Sequence, residues 1–153
     1  MKKVLIITYY WPPSGGSGVQ RWLKFTKYLP RYNWKPIIYT PDNPYFDLQD
    51  EALLNDIPNE AEIWKTPIWE PYALKDKLFG KGSQSQSAGV ITNKKSLKNK
   101  VLNWVRGNLF VPDPKIYWVK PSVKVLLKKI LEEEIEHVIT TGPPHSMHLI
   151  GLG

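Results

Sequence analysis

The sequence predicts an α/β domain built on an open, parallel sheet. Short apolar runs rich in β-branched residues alternate with stretches of helical periodicity. The runs are apolar at consecutive positions, as in strands covered on both faces, not alternating as in a sheet with one wet face. Two of them lead directly into loops rich in Gly and Pro that open a helix, the usual place for a ligand in such folds.

In chain order, Val4 to Thr8 is the first strand and Tyr9 to Gly18 the loop after it. Val19, Trp22, Leu23, Thr26 and Leu29 recur at helical spacing, and Pro30 marks the stop. Pro36 to Thr40 closes a strand, helix, strand unit, which is right-handed almost without exception. Residues 41–61 read as an excursion with one helical turn around Glu51 to Leu54, and Glu62 to Thr66 as a third strand. A loop carrying Trp69 follows, then a short helix over 72–79 and a flexible loop over about 80–95, rich in Gly, Ser, Gln and Lys.

Leu97, Val101, Trp104 and Val105 share a helical face that Gly107 ends. The loop Asn108 to Ile116 contains Val111-Pro112-Asp113-Pro114. From Tyr117 a helix of about five turns is expected, with Val119, Val123, Leu126, Leu127 and Ile130 as its buried stripe. Glu132, Glu133 and Glu134 read as its solvated end. Val138 to Thr141 is the last strand, and Gly142-Pro143-Pro144-His145-Ser146 leads into a helix starting at Met147 that is cut off at Gly153.

Composition narrows the function classes. The 153 residues make one domain, and 42% hydrophobic residues suffice for a core. Without cysteine, a disulfide framework, a thiolate metal site and a cysteine nucleophile are excluded. No run reaches the roughly 18 to 20 apolar residues of a spanning helix. Lys2-Lys3 before Val4 to Ile7 imitates a secretory signal, but the apolar run is short and no small-residue cleavage site follows, so a cytoplasmic location is expected. The net charge of +7 suits acidic partners such as phosphate-bearing ligands or anionic lipid, although many lysines fall on expected solvated faces.

Gly15, Gly16 and Gly18 before a helix form a potential cradle for a phosphate or a sugar hydroxyl. Arg21 stands where a dinucleotide fingerprint needs its third small residue, and no Gly-Lys-Ser/Thr completes a phosphate-binding P-loop. Trp11 suits the face of a sugar ring or packs under the loop. His145, at a strand end and helix entrance, is a candidate to donate to a transferring oxygen or neutralise a phosphate. His148 adds only a second imidazole, too few ligands for a metal, so no metal is expected. Asp113, between two prolines, either accepts from substrate hydroxyls or makes turn hydrogen bonds.

Taken together, these residues resemble a known family. Lys3-Val4-Leu5-Ile6-Ile7-Thr8-Tyr9-Tyr10-Trp11-Pro12-Pro13 with Gly15 to Arg21, Gly107-Asn108-Leu109-Phe110-Val111-Pro112-Asp113 with Trp118, and Thr141-Gly142-Pro143-Pro144-His145-Ser146 look like landmarks of family 4 glycosyltransferases of the GT-B fold, in their bacterial cell-envelope and polysaccharide branch. The resemblance spans residues 3 to 152. It implies a Rossmann-like, acceptor-side amino-terminal domain of an enzyme that is retaining and metal-independent. His145 would then be catalytic, near the transferred sugar. Gly15, Gly16 and Ser17 would contact the donor's phosphates or sugar, and Trp11, Asp113 and Trp118 would form the acceptor side.

The partners implied are a nucleotide-sugar, which is a substrate and not a cofactor, and a glycan or lipid-linked acceptor. No nucleic acid is implied, and contact is expected with the inner face of the plasma membrane. The family's paired donor-binding glutamates have no counterpart, so a second domain is expected to supply them and this piece alone to be inactive. A nucleotide-dependent Rossmann oxidoreductase and a non-catalytic glycan-binding module are the alternatives.

Overall fold

The computed structural model describes residues 1–70 and 111–153. The helix expected over 72–79, the loop over 80–95, the face of Leu97, Val101, Trp104 and Val105, and the Gly107 to Phe110 landmark lie outside the described residues. Among the described residues four strands, β1 (Lys2–Ile7), β2 (Trp34–Pro41), β3 (Glu62–Thr66) and β4 (His137–Thr140), form one all-parallel sheet in the order β3-β2-β1-β4. Among the described residues the α-helices are α1 (Ser17–Tyr28), α2 (Ile116–Glu132) and α3 (Ser146–Leu152). This is a Rossmann-like α/β fold. Among the described residues no helix is long and apolar enough to cross a membrane.

Alternation along β1 divides the core. Val4 and Ile6 point to the α1 side, where they meet Trp11, Val19, Leu23, Ile38 and Leu53. Leu5 and Ile7 point the other way, to Tyr39, Trp118, Leu126, Met147 and Ile150 of β2, α2 and α3. Both faces of the central strand are therefore covered, which is why its sequence is a continuous apolar run. β4 lies at the edge, and Val138 and Ile139 remain exposed there.

Element boundaries differ from expectation at places with physical causes. α1 starts at Ser17, two residues before Val19, because Gly16 at φ 106° turns the chain directly into it. It ends at Tyr28, and Pro30 sits inside a 3-10 turn, Leu29–Tyr32, closed by Asn33 in the left-handed region at φ 65°. The turn expected around Glu51 is a 3-10 turn, Glu51–Asp56, whose Asp50 carboxylate accepts from the Ala52 N–H at 3.1 Å.

Two readings of α2 need correction. Its buried stripe is Trp118, Ser122 and Leu126, while Leu127 is exposed and Val119, Val123 and Ile130 only flank the core. The buried line thus runs through the small, polar Ser122 at the middle of the helix, between Trp118 and Leu126 one turn to either side. The acidic end is also not simply solvated. Lys3 Nζ donates to the Glu133 carboxylate and to its main-chain carbonyl, both at 2.8 Å, which ties the start of β1 to the end of α2.

Candidate functional site

The strand order places a topological switch between β1 and β4. From β1 the chain crosses by α1 to β2 on one side, while β4 adds on the other side. The helices after these two strands cover opposite faces, so the loops leaving them diverge at the carboxyl edge. Open parallel sheets bind their ligands in that crevice. Its floor is pinned across the two strands. Thr141 Oγ1 donates to Thr8 Oγ1 at 3.1 Å, and the Thr141 N–H donates to the Ile7 carbonyl at 3.1 Å.

The glycine loop is held by the 48–50 segment. The Gly15 N–H donates to the Leu48 carbonyl at 2.9 Å and the Asp50 N–H to the Pro13 carbonyl at 2.7 Å. A Cβ on Gly15 would sit 2.9 Å from Leu48 Cγ, so a larger residue there would have to displace the Leu48 side chain. One consequence corrects the expectation for Gly15: its N–H is consumed within the protein. Gly16 faces open space, no side chain caps α1, and the first turn holds no acidic residue. The positive end of that helix, from Gly16 and Ser17, is thus left for an anion.

His145 is exposed at the start of α3, with its ring 5.9 Å from that of His148. His148 is oriented by a 2.7 Å hydrogen bond between its Nδ1 and Thr140 Oγ1. Both rings lie over Gly142, where a Cβ would stand 2.7 Å from His148 Nε2 and 3.3 Å from His145 Nδ1. Glycine leaves room there for two imidazoles to gather beside the switch point. No group of three or more potential metal-ligating side chains occurs among the described residues.

The three side chains assigned to the acceptor are otherwise engaged. Trp11 and Trp118 are 2% and 1% exposed, which removes both from contact with a solute. Trp11 packs under α1, and Trp118 stacks on Tyr39 at 5.0 Å while its Nε1 donates to Thr66 Oγ1 at 3.0 Å. Asp113 accepts the Ser146 N–H at 2.7 Å, the Ser146 hydroxyl at 2.8 Å and the Lys115 N–H at 2.9 Å. Its carboxylate caps the first turn of α3 and fastens the 111–115 strap to it. The turn-chemistry reading of this residue is the one its contacts satisfy.

Sequence reasoning missed a buried polar cluster on the same edge. The Glu70 side chain is 4% exposed. One of its oxygens receives the Tyr9 hydroxyl at 2.5 Å and the Lys115 ammonium, and the other receives the Tyr45 N–H at 2.8 Å. The Lys115 ammonium also lies 4.3 Å from the centre of the Tyr9 ring. Burial, then the hydrogen bond to Glu70 and that carboxylate's charge, hold the Tyr9 hydroxyl well above the ordinary tyrosine range. Burial is also the leading cause of the raised values of Tyr10 and Tyr39. No local signal marks this cluster, because its three members come from segments 61 and 45 residues apart in sequence.

Around it, Tyr10, Trp69 and Tyr117 are exposed, with the last two rings edge to face at 5.3 Å. A shallow apolar hollow of about 60 Å³ lies elsewhere, between α2, β4 and α3, and none of its lining residues is polar. Comparison of the sequence with profiles of known protein families and with curated proteins, and of the structure with solved structures, found no match.

Proposed function

We propose that the chain is the acceptor-side, Rossmann-like half of a glycosyltransferase. It would pass a sugar from a nucleotide-sugar donor to an envelope glycan or lipid-linked acceptor, with retention and without a metal. The observation that carries this reading is the pairing of the uncapped α1 amino terminus with the His145/His148 pair on either side of the β1–β4 switch. Such a combination, the positive end of a helix dipole and a hydrogen-bonding imidazole carried by loops of one sheet edge, suits an anionic leaving group and a hydroxyl-bearing sugar. The sequence landmarks add the family to which this chemistry belongs.

In this reading Gly16 and Ser17 approach the donor pyrophosphate, and His145 donates a hydrogen bond to the transferring sugar. Because Trp11 and Trp118 are buried, acceptor contact falls to the exposed rings of Tyr10, Trp69 and Tyr117. Their apolar faces and polar tips suit sugar rings. A second domain supplies the paired carboxylates that grip the donor.

The test is transfer of labelled sugar from a panel of nucleotide-sugars to an envelope lipid extract. The chain is assayed alone and joined to a second α/β domain with the paired glutamates. Transfer only by the joined protein, lost in His145→Ala, is the expected result. Transfer by the chain alone would refute the division of labour. Tight binding of a nicotinamide cofactor, followed by tryptophan fluorescence, would favour the oxidoreductase alternative.

A further inference from the structure

The polar contacts at the carboxyl edge form one network, and it draws on the loop after every strand of the sheet. Tyr9 follows β1, Tyr45 follows β2, Glu70 follows β3 and Ser146 follows β4. The Glu70 carboxylate joins the first three of these loops, since it receives the Tyr9 hydroxyl at 2.5 Å and the Tyr45 N–H at 2.8 Å. Asp113 and Lys115 bring in the fourth. The Lys115 ammonium meets Glu70 and the Lys115 N–H donates to Asp113 at 2.9 Å, while Asp113 accepts the Ser146 N–H at 2.7 Å and the Ser146 hydroxyl at 2.8 Å. The 111–115 strap is thus fastened to both sides of the edge.

Every exposed ring given a role above is a close chain neighbour of a network member. Tyr10 adjoins Tyr9, Trp69 adjoins Glu70, Tyr117 lies two residues past Lys115, and His145 adjoins Ser146. Tyr9, Glu70 and Ser146 are buried, whereas Tyr10, Trp69, Tyr117 and His145 face outward. Among the described residues no hydrogen bond reaches the His145 ring, which meets only the ring of His148, so the backbone at Ser146 sets its place. Stability alone does not require this arrangement. A buried ion pair often stabilises no more than apolar residues of the same volume, so a packed apolar cluster would hold the loops as firmly. What directional hydrogen bonds add is a single relative arrangement of the four loops.

We propose that Asp113 and Lys115 are positioning residues that hold the His145 imidazole at a fixed place relative to the rings of Tyr10, Trp69 and Tyr117. The roles of those rings rest on the sugar-transfer reading; the tie between the loops does not. Neither positioning residue touches a substrate. A reacting group misplaced by about 1 Å can cost about 100-fold in rate, and that displacement is what the tie prevents.

The test reads the ring first and the reaction second. In the full 153-residue chain, the nuclear Overhauser contact between the His145 and His148 rings reports the place of His145, because His148 is held by Thr140. The contact is expected in the parent and is lost in Asp113→Asn, which keeps the side-chain volume and removes one acceptor, and in Lys115→Met. Leu23→Ala, a core truncation under α1, controls for lost stability and should keep the contact. Circular dichroism verifies that each variant is folded, and Asp113→Asn decides if Lys115→Met is not. In the protein joined to a second α/β domain, Asp113→Asn should lower kcat about 100-fold and leave the acceptor KM unchanged, since the Glu70 cluster still holds the acceptor rings. The proposal is overturned if the ring contact survives in Asp113→Asn, if Leu23→Ala abolishes it as well, or if Asp113→Asn raises the acceptor KM with kcat unchanged. Absence of transfer by every joined form would refute the sugar-transfer reading and leave the ring contact to decide the tie.

Discussion

Removing Lys115 isolates a carboxylate that the fold has buried. In Lys115→Met the Glu70 side chain keeps the Tyr9 hydroxyl and the Tyr45 N–H as donors but loses its cation among the described residues. Breaking a buried ion pair from one side costs about 3–5 kcal/mol. The two surviving hydrogen bonds argue for the lower end, about 3 kcal/mol, with the ammonium's contact to the Tyr9 ring included at about 0.5–1 kcal/mol. Glu70→Gln should cost less, about 1–2 kcal/mol, because the Lys115 side chain is 17% exposed and its ammonium can swing toward water.

The double variant restores a site without net charge. It should be destabilised by about 2–3 kcal/mol, so the pair shows a coupling of about 2 kcal/mol. Urea unfolding reads this directly: at a slope of about 2 kcal/mol per molar, Lys115→Met lowers the midpoint by about 1.5 M. A midpoint within a few tenths molar of the parent, or strictly additive single effects, would refute the claim that this cluster is a desolvated unit.

Three further outcomes follow from other contacts. Asp113→Ala unties Ser146 and the strap, and should cost about 2–3 kcal/mol, seen as a fall in Tm of about 5–10 °C; an unchanged Tm would return the residue to a ligand-binding role. Gly142→Ala drives a methyl against His148 Nε2, so it should destabilise by about 1–3 kcal/mol and break the Thr140 hydrogen bond, visible in the imidazole resonances. The tyrosine hydroxyls give a pH dependence. Tyr9, Tyr10 and Tyr39 sit above their ordinary value of 10.0 in the fold, so the unfolded chain loses these protons first. Their contribution is intact below pH 10 and drains away as pH rises beyond it; urea midpoints that stay level up to about pH 11 would contradict this.

The class of the fold was legible because parallel sheets leave a mark on their central strands. The expected strands Val4 to Thr8 and Val138 to Thr141 overlap β1 and β4 with their ends one or two residues off, Pro36 to Thr40 falls within β2 and Glu62 to Thr66 matches β3; the continuous apolar run is the mark of β1 and β2, which are covered on both faces. The two loops were legible from their glycines. Gly16 holds a positive φ, and Gly142 lies under two imidazoles that a Cβ would push aside.

The roles of individual side chains were not legible. Trp11, Trp118 and Asp113 have the chemistry of a sugar site, and only the packing shows that the rings fill the core and the carboxylate caps α3. The stripe of α2 includes Ser122 and not Leu127, because Trp118, stacked on Tyr39 and bonded to Thr66, sets which side of the helix faces the sheet. Glu70, Lys115 and Tyr9 meet only through the folded chain. The sequence by itself determined the α/β class and the switch-point loops, both properties of local pattern and composition. Which groups are buried, paired or left facing outward was decided by tertiary structure, because desolvation and hydrogen-bond partners depend on neighbours distant along the chain.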